Sequence, residues 1–403
     1  MTDQDAPSIA LITIDRDSAS LILSRSDGKE ARFPITRLPF EESSELARLH
    51  FTPSFTRLLA VTKSGDEIVF ELATNDATAD VTDKRLIVYL DQNQWSAVAN
   101  IRYDDSSGSP EDRDAVKQLI EWALDDKVIL PASAGHYFET SKRFDKAKRY
   151  RLGLSILQLS RGWQMRDPLQ VRRDELYNTF CNLLESPDKH RNDTVFTLDP
   201  KALHSESRGM TNYSAPTDFP EGVAFNLEAL VQASASIDTM LDAERCEPGP
   251  DTGWTQANQA FSDWLDGQNL DANQKRKAID AFFLNDLVGE IAEESFAAGI
   301  STSQLSDWIS SNSIKEIARM PALGIFREML HNRHLNKGTT WKPNDVTDMV
   351  YLSCAAGYAD FVVCERHMRE HLAHGIRRLG IKSQAFRRLS DATSAIEIAL
   401  SSR

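Results

Sequence analysis

The chain has 403 residues, of which 41% are hydrophobic and 26% charged, and its formal net charge is −14. These values are typical of a globular protein with room for two domains, or for one domain with a long insertion. The negative net charge excludes a surface coated in positive charge for non-specific nucleic-acid binding. No apolar run is long enough to predict a membrane-spanning helix.

The cysteines and the first residues indicate the compartment. The opening octapeptide, MTDQDAPS, is acidic and lacks the basic and apolar segments of a signal peptide. Cys181, Cys246, Cys354 and Cys364 show neither paired metal spacing nor a disulfide framework. We therefore expect a cytoplasmic protein.

Residues 8–74 predict a small β-rich unit. Strands are expected at 9–14, 19–24, 58–62 and 67–72, with a further strand at 32–37 and a short helix at 42–49. A polar linker at 74–84 places a domain boundary near residue 80. The unit, residues 1–80, contains no catalytic pattern, and we expect it to offer a surface for a protein partner.

The next stretch predicts a parallel sheet. Residues 86–90 are apolar and end at Asp91, as in a strand buried on both faces. A helix to about Tyr103, a second helix at 112–125 and a strand at 127–131 follow, which implies a right-handed crossover. An acid after such a strand can bind a ligand at the carboxyl edge of the sheet or cap the next helix, and Asp91 fits both roles.

A second acid, Glu139, lies in a helix that begins after Ser133 and is expected to continue to Gly162. The alternative role for Glu139 is an ion pair with Arg143, one turn away. From residue 142 to residue 173 the sequence carries ten basic residues against two acidic ones, and from 366 to 388 seven against one. Such segments suit phosphate contact or solvated helix faces equally well.

The middle of the chain predicts an irregular segment at 186–222 and helices at 223–244, 255–265, 272–298 and 314–335. We interpret about 186–314 as a helical insertion. Acids at helical spacing, typical of a solvated face rather than of a metal site, occur in it: Asp286, Glu290, Glu293 and Glu294.

The last informative stretch runs from residue 342 to residue 368. A helix is expected from Asp345, with Asp348 in a capping arrangement, to Gly357. A strand at 359–365 then ends in Glu365, as the first strand ends in Asp91. Asp360 lies within that strand and is less suited to the site. A helix and then a short strand or turn with a final helix close the chain.

Four acids therefore occupy matching contexts: Asp91, Glu139, Asp348 and Glu365. In a parallel sheet these positions converge on the carboxyl edge. Clustered carboxylates repel one another unless a cation neutralises them, and Mg²⁺ or Mn²⁺ prefers such an all-oxygen setting. Asn93 could orient a ligand, and substrate phosphates could be held by Lys142, Arg143, Arg366 and His367.

Three segments resemble the PIN-like domain, a metal-dependent nuclease fold found in toxins and RNA-processing enzymes. They are IVYLDQNQW, VILPASAGHYFET and NDVTDMVYLSCAAGYADFVVCERHM. The resemblance implies an α/β fold with a parallel sheet sandwiched by helices across 81–403, interrupted by the insertion. It also implies the metal-binding and catalytic acids Asp91, Glu139, Asp348 and Glu365, with Asp345 as an alternative or second partner to Asp348.

The function implied by the resemblance is a Mg²⁺- or Mn²⁺-dependent endoribonuclease, of the toxin or defence type. Glu365 stands where an Asp is commoner, and the insertion is longer than in compact toxins. Two alternatives are a DNA nuclease and a catalytically silent scaffold that binds RNA or protein. A small-molecule enzyme on a doubly wound sheet is less compatible with the sequence, which lacks a Gly-rich phosphate loop.

Overall fold

The fold is that of a computed structural model, which describes residues 7–36, 38, 44–72, 85–104, 106–191, 194–199, 221–241 and 253–403. Its strands are β1 Ile9–Asp15, β2 Ser20–Arg25, β3 Glu30–Pro34, β4 Leu46–Phe51, β5 Arg57–Thr62, β6 Glu67–Glu71, β7 Leu86–Leu90, β8 Val128–Ile129, β9 Gln164–Met165, β10 Phe196–Thr197, β11 Phe361–Val363 and β12 Gln384–Phe386. Its helices are α1 Gln92–Tyr103, α2 Pro110–Leu124, α3 Ala134–Ser141, α4 Lys146–Ser160, α5 Pro168–Leu183, α6 Glu221–Leu241, α7 Trp254–Gly267, α8 Ala272–Asp286, α9 Val288–Ala298, α10 Thr302–Ser311, α11 Ser313–Ile317, α12 Pro321–His334, α13 Asp345–Tyr358, α14 Arg366–Leu379 and α15 Leu389–Ser401. The architecture is mixed α/β, as the sequence predicts.

An antiparallel sheet in the order β3-β2-β1-β4-β5-β6 forms the N-terminal part of the described chain. It contains the strands that the alternating pattern predicts. The expected helix at 42–49 is wrong, because Leu46–Phe51 is a strand between β1 and β5; residues 42 and 43 lie outside the described residues. Leu46, Leu49 and Phe51 are buried on its inner face, so pairing with both neighbours overrides the local helical preference.

A four-stranded parallel sheet in the order β12-β11-β7-β8 positions the candidate site. The chain passes from β7 to β8 on one side and, much later, returns to β11 and β12 on the other. The strand order therefore reverses between β7 and β11, where open α/β sheets bind ligands beyond the carboxyl ends of their strands. Asp91 and Glu365 leave these two central strands at that point.

Strand β7 is buried on both faces, as its composition predicts. Val88 and Leu90 belong to a core that includes α1, α2 and α4, whereas Tyr89 faces a second core built by α5, α12 and α13. Alternating side chains thus hold helices on both sides of the sheet. This packing fixes the level at which Asp91 leaves the strand.

The antiparallel sheet shares the first of these cores and is joined to the helices by polar contacts. The Glu71 amide donates to the carbonyl oxygen of Arg161 at 2.8 Å, at the turn after α4. Asp238 of α6 accepts hydrogen bonds from the Ser44 hydroxyl at 2.7 Å and from the Glu45 amide at 3.1 Å. The sheet is therefore seated against α4 and α6.

Three expected long helices are each divided in two. The helix expected at 134–162 breaks between α3 and α4, where the Asp145 carboxylate accepts the Lys148 amide and starts a new helix. The helix expected at 314–335 breaks before Pro321, which occupies the first turn of α12. The helix expected at 272–298 divides into α8 and α9 at Leu287.

The expected insertion contributes α6 to α11, and most of its irregular start, residues 200–220, lies outside the described residues. None of the helices that the structure describes combines the length and the apolar composition needed to cross a membrane. Helix α12 is held in place by Glu175 of α5, whose buried carboxylate accepts the Ala322 and Leu323 amides at 2.7 and 2.9 Å. Through α12, this contact supports α13, which carries Asp348.

Candidate functional site

Asp91 performs the capping role and also joins the two central strands. One carboxylate oxygen accepts the Gln94 amide at 2.9 Å, which caps α1, and the other accepts the Glu365 amide at 2.8 Å. The Asp91 amide donates to Val363 at 3.0 Å. Burial, reinforced by the charge of Glu365 and opposed by these hydrogen bonds, raises the pKa of Asp91 to about 7.

Glu365 lies beside Asp91 because β11 and β7 are in parallel register, with Val363 opposite Leu90. Its side chain is 46% exposed, so it faces the solvent-accessible side of the edge. The Asn93 side-chain amide donates to one carboxylate oxygen, and His367 Nδ1 lies 3.4 Å from the other. Asn93 therefore orients Glu365 rather than standing apart as an independent ligand.

Asp348 is the most electrostatically stressed of the four acids. Its pKa is raised to about 8, chiefly by burial and then, in decreasing order, by the charges of Glu139, Asp91, Asp345 and Glu365. Within the described part of the chain, its carboxylate has no hydrogen-bond or ion-pair partner. Charges affect one another's pKa only over short distances, and three of the acids act on Asp348. The four predicted acids therefore lie near one another.

Glu139 completes the cluster from α3. Burial raises its pKa and so does the charge of Glu365, whereas Lys142 and Arg143 lower it. The alternative role for Glu139, an ion pair with Arg143, is not among the contacts that the structure describes, and the Arg143 guanidinium donates instead to the Ser96 hydroxyl. Glu139 is therefore near two cations, Lys142 and Arg143, and forms no described ion pair with either of them.

Asp345 and Asp360 have structural partners. Asp345 is buried, binds the Arg333 guanidinium and accepts the Lys342 amide at 2.6 Å, so its charge is already balanced. Helix α13 begins at Asp345 itself, so the expected pairing of this residue with Asp348 as a cap is not formed. Asp360 accepts the Ile87 amide at 2.8 Å, at the opposite edge of the sheet.

The four predicted phosphate contacts lie on two sides of the acids. Lys142 Nζ lies 3.6 Å from the centre of the Phe138 ring, and with Arg143 it flanks Glu139. Across the cluster, Arg366 Nε pairs with Glu370 at 3.4 Å, and His367 Nε2 lies 3.8 Å from Asp345. These basic side chains thus border the acids, and none of them forms an ion pair with Asp348 in the described part of the chain.

The sequence did not single out two features of the site. The Gln92 side chain donates to the Thr140 hydroxyl at 2.9 Å, which ties α1 to α3 beside Asp91 and Glu139. An open groove of about 500 Å³ adjoins Glu365 and has Gln94 and Arg387 in its lining. The sequence feature that could have identified Arg387 is its position directly after β12, because Asp91 holds the same position after β7.

A second group of acids, on α9, differs from the sheet edge. Glu290 binds Arg172, and Arg173 Nη1 contacts Glu293 at 2.6 Å and Glu294 at 3.0 Å. Glu294 also pairs with Arg191 at 2.7 Å. The solvated face expected for these acids is therefore largely an ion-paired contact between α5 and α9.

The donor chemistry of the sheet edge suits a hard divalent ion. Three carboxylates with raised pKa values, Asp91, Glu139 and Asp348, supply oxygen ligands and have no ion-pair partner among the described residues, and Glu365 beside them contacts only His367 and Asn93 through its carboxylate. Among the described residues, no three His, Cys, Asp or Glu side chains already stand in a metal-holding arrangement. The residues therefore suit the ion by the type of their donor atoms, and binding would require their side chains to turn towards it.

Comparison of the chain with protein-family profiles, with curated proteins and with solved structures finds no match. The likeness to PIN-like nucleases stays a prediction from its three sequence segments. The chemistry of the sheet edge is therefore the basis on which a function can be assigned.

Proposed function

We propose that the chain is a Mg²⁺- or Mn²⁺-dependent phosphodiesterase that hydrolyses RNA. The observation that supports this proposal is the gathering of Asp91, Glu139, Asp348 and Glu365 at the reversal point of the sheet, with Asp348 half-buried and without a hydrogen-bond or ion-pair partner among the described residues. An uncompensated acid cluster is costly for folding, so it suggests a cation that offsets the repulsion. RNA, rather than DNA, rests on the resemblance to PIN-like nucleases.

Asp348, Asp91, Glu139 and Glu365 would hold the ion, and Asp345 is less suited because Arg333 balances it. When bound, such an ion activates water and stabilises the charge that develops on a phosphodiester during in-line displacement. Asn93 holds the Glu365 carboxylate through a hydrogen bond from its side-chain amide. Lys142, Arg143, Arg366 and His367 would position phosphates on either side, which confines the scissile bond to the acid edge.

Purified protein is tested with labelled single-stranded RNA, single-stranded DNA and duplex DNA, each in Mn²⁺, in Mg²⁺ and in chelator. We expect metal-dependent cleavage of RNA. Asp91→Asn and Asp348→Asn should each lower the cleavage rate by roughly two to three orders of magnitude, because each removes a negative ligand without changing side-chain size.

Asp114→Asn is the matched control, since it removes an exposed carboxylate of α2 that is not a member of the acid cluster. It should cleave as the wild type does. Persistent cleavage in chelator, or by Asp91→Asn or Asp348→Asn, would remove the acids from the reaction. Cleavage of DNA alone would assign the alternative substrate, and tight RNA binding without turnover would favour the silent scaffold.

A further inference from the structure

The groove beside Glu365 lies at the point where three elements meet. Glu365, Arg366, His367 and Glu370 from the start of α14 form one wall, and Gln94 of α1 and Arg387 form the other. The Gln94 side-chain amide donates to the Arg387 carbonyl oxygen at 3.4 Å, which joins the second wall to the helix capped by Asp91. The groove is thus continuous with the acid cluster through Glu365.

Sheet geometry fixes where Arg387 lies. Strands β11 and β12 are parallel, with Val363 opposite Phe386, and the Cys364 amide donates to the Phe386 carbonyl oxygen at 3.0 Å. Neighbouring strands are about 4.8 Å apart. Arg387 therefore leaves β12 level with Cys364, one strand spacing from β11 and one residue before Glu365, on the same carboxyl edge.

The charges of the groove are unequally matched. Arg366 is paired with Glu370 at 3.4 Å, and Glu365 is engaged by Asn93 and His367. Arg387 is exposed, and its guanidinium has no ion pair with any residue that the structure describes. A guanidinium presents a planar fork of donors that matches the oxygens of a phosphate group.

We propose that this groove binds a phosphodiester of the substrate strand next to the scissile bond, with Arg387 as its principal contact. This inference rests on the proposed function and extends it to a residue and a groove outside the acid cluster. The ligand chemistry is the phosphate backbone, which ribose and deoxyribose strands share. Arg387 is a substrate-binding residue in this proposal and takes no part in bond cleavage.

The test measures binding separately from cleavage. Every variant is made in an Asp348→Asn background, and the dissociation constant of a labelled single-stranded RNA is measured from about 50 to 200 mM salt. Arg387→Gln should weaken binding about fivefold and reduce the slope of log affinity against log salt by about 0.7, the value for one phosphate contact on a single strand. Arg387→Lys should restore most of the salt slope.

Lys382→Gln is the matched control, because it removes one exposed positive charge before the amino end of β12, at the opposite edge of the sheet. It should leave the slope unchanged. The same oligonucleotide made of deoxyribose should show the same loss with Arg387→Gln, since the contact is to phosphate.

An unchanged slope in Arg387→Gln, or an equal loss in Lys382→Gln, would overturn the groove assignment while leaving nuclease activity standing. A reduced slope in a protein whose native form does not cleave in Mn²⁺ or Mg²⁺ would support the groove and overturn hydrolysis. Absence of measurable binding to either oligonucleotide would overturn both.

Discussion

The two acidic clusters of this protein solve the problem of neighbouring negative charges in different ways. On α9, Glu290, Glu293 and Glu294 are matched by arginines of α5 and by Arg191. At the sheet edge, Asp348 has no such partner among the described residues, and burial together with the charges of the neighbouring acids raises its pKa to about 8. The first cluster is part of the helix packing, whereas the charge of Asp348 in the second is not matched by a contact within the described chain.

The comparison also separates stability from function. Ion pairs that join helices stabilise the fold only while both partners remain, so removing one leaves a buried charge. Acids that repel one another at the carboxyl edge of a sheet destabilise the fold unless a cation neutralises them. Charge-removing substitutions at the two clusters should therefore change the free energy of unfolding in opposite directions.

The largest effect on stability is expected at the paired cluster. Glu290→Gln should lower the free energy of unfolding by about 2–3 kcal/mol, because it leaves the buried guanidinium of Arg172 without its anion. Urea denaturation measures the change. Glu293→Gln, whose side chain is 65% exposed, should change stability by less than about 0.5 kcal/mol. Equal losses of stability in the two variants would show that burial does not determine how much each ion pair contributes to the free energy of unfolding.

The opposite sign is expected at the sheet edge. In chelator near pH 8, Asp348→Asn should raise the free energy of unfolding by about 1–2 kcal/mol, because it removes a half-buried charge that the neighbouring acids repel, at little cost in packing. Asp114→Asn should stay within about 0.5 kcal/mol of the wild type. A loss of stability in Asp348→Asn would indicate that the carboxylate has a favourable contact in the metal-free protein.

The smallest expected effect is a change with pH. The folded-state pKa of Asp348 is raised to about 8 from 3.8, so the folded chain binds more protons than the unfolded chain between these values. Its contribution to stability is therefore lost as the pH rises through that window. In chelator, the advantage of Asp348→Asn should be near zero at about pH 4 and should grow by less than about 1 kcal/mol per pH unit up to about pH 8. A constant advantage across this range would contradict the raised pKa.

Much of the sheet was predictable because its signals are local. The apolar run at residues 86–90, followed by Asp91, predicts a strand that is buried on both faces. A similar apolar run precedes Glu365. The gathering of Asp91, Glu139, Asp348 and Glu365 follows from parallel topology, since carboxyl ends share one edge. The sequence pattern around Asp91 could not show that this residue both caps α1 and accepts the Glu365 amide, because the second contact comes from a distant part of the chain.

Features set by distant partners could not be predicted. Leu46–Phe51 is a strand because β1 and β5 pair with it, although its local sequence favours a helix. Asp345 is balanced by Arg333, which lies on another helix, so spacing within α13 could not separate it from Asp348. The groove at Arg387 is formed by three elements far apart in sequence, and its lining had no single motif.

The most direct test of the central claim is calorimetric titration of Mn²⁺ into the wild type and into Asp348→Asn in the absence of nucleic acid. Saturable binding to the wild type, weakened at least about tenfold in the variant, is the expected result. Asp114→Asn should bind as the wild type does. Equal affinity in the wild type and Asp348→Asn, or no saturable binding to the wild type, would contradict the assignment of the sheet edge as a metal site.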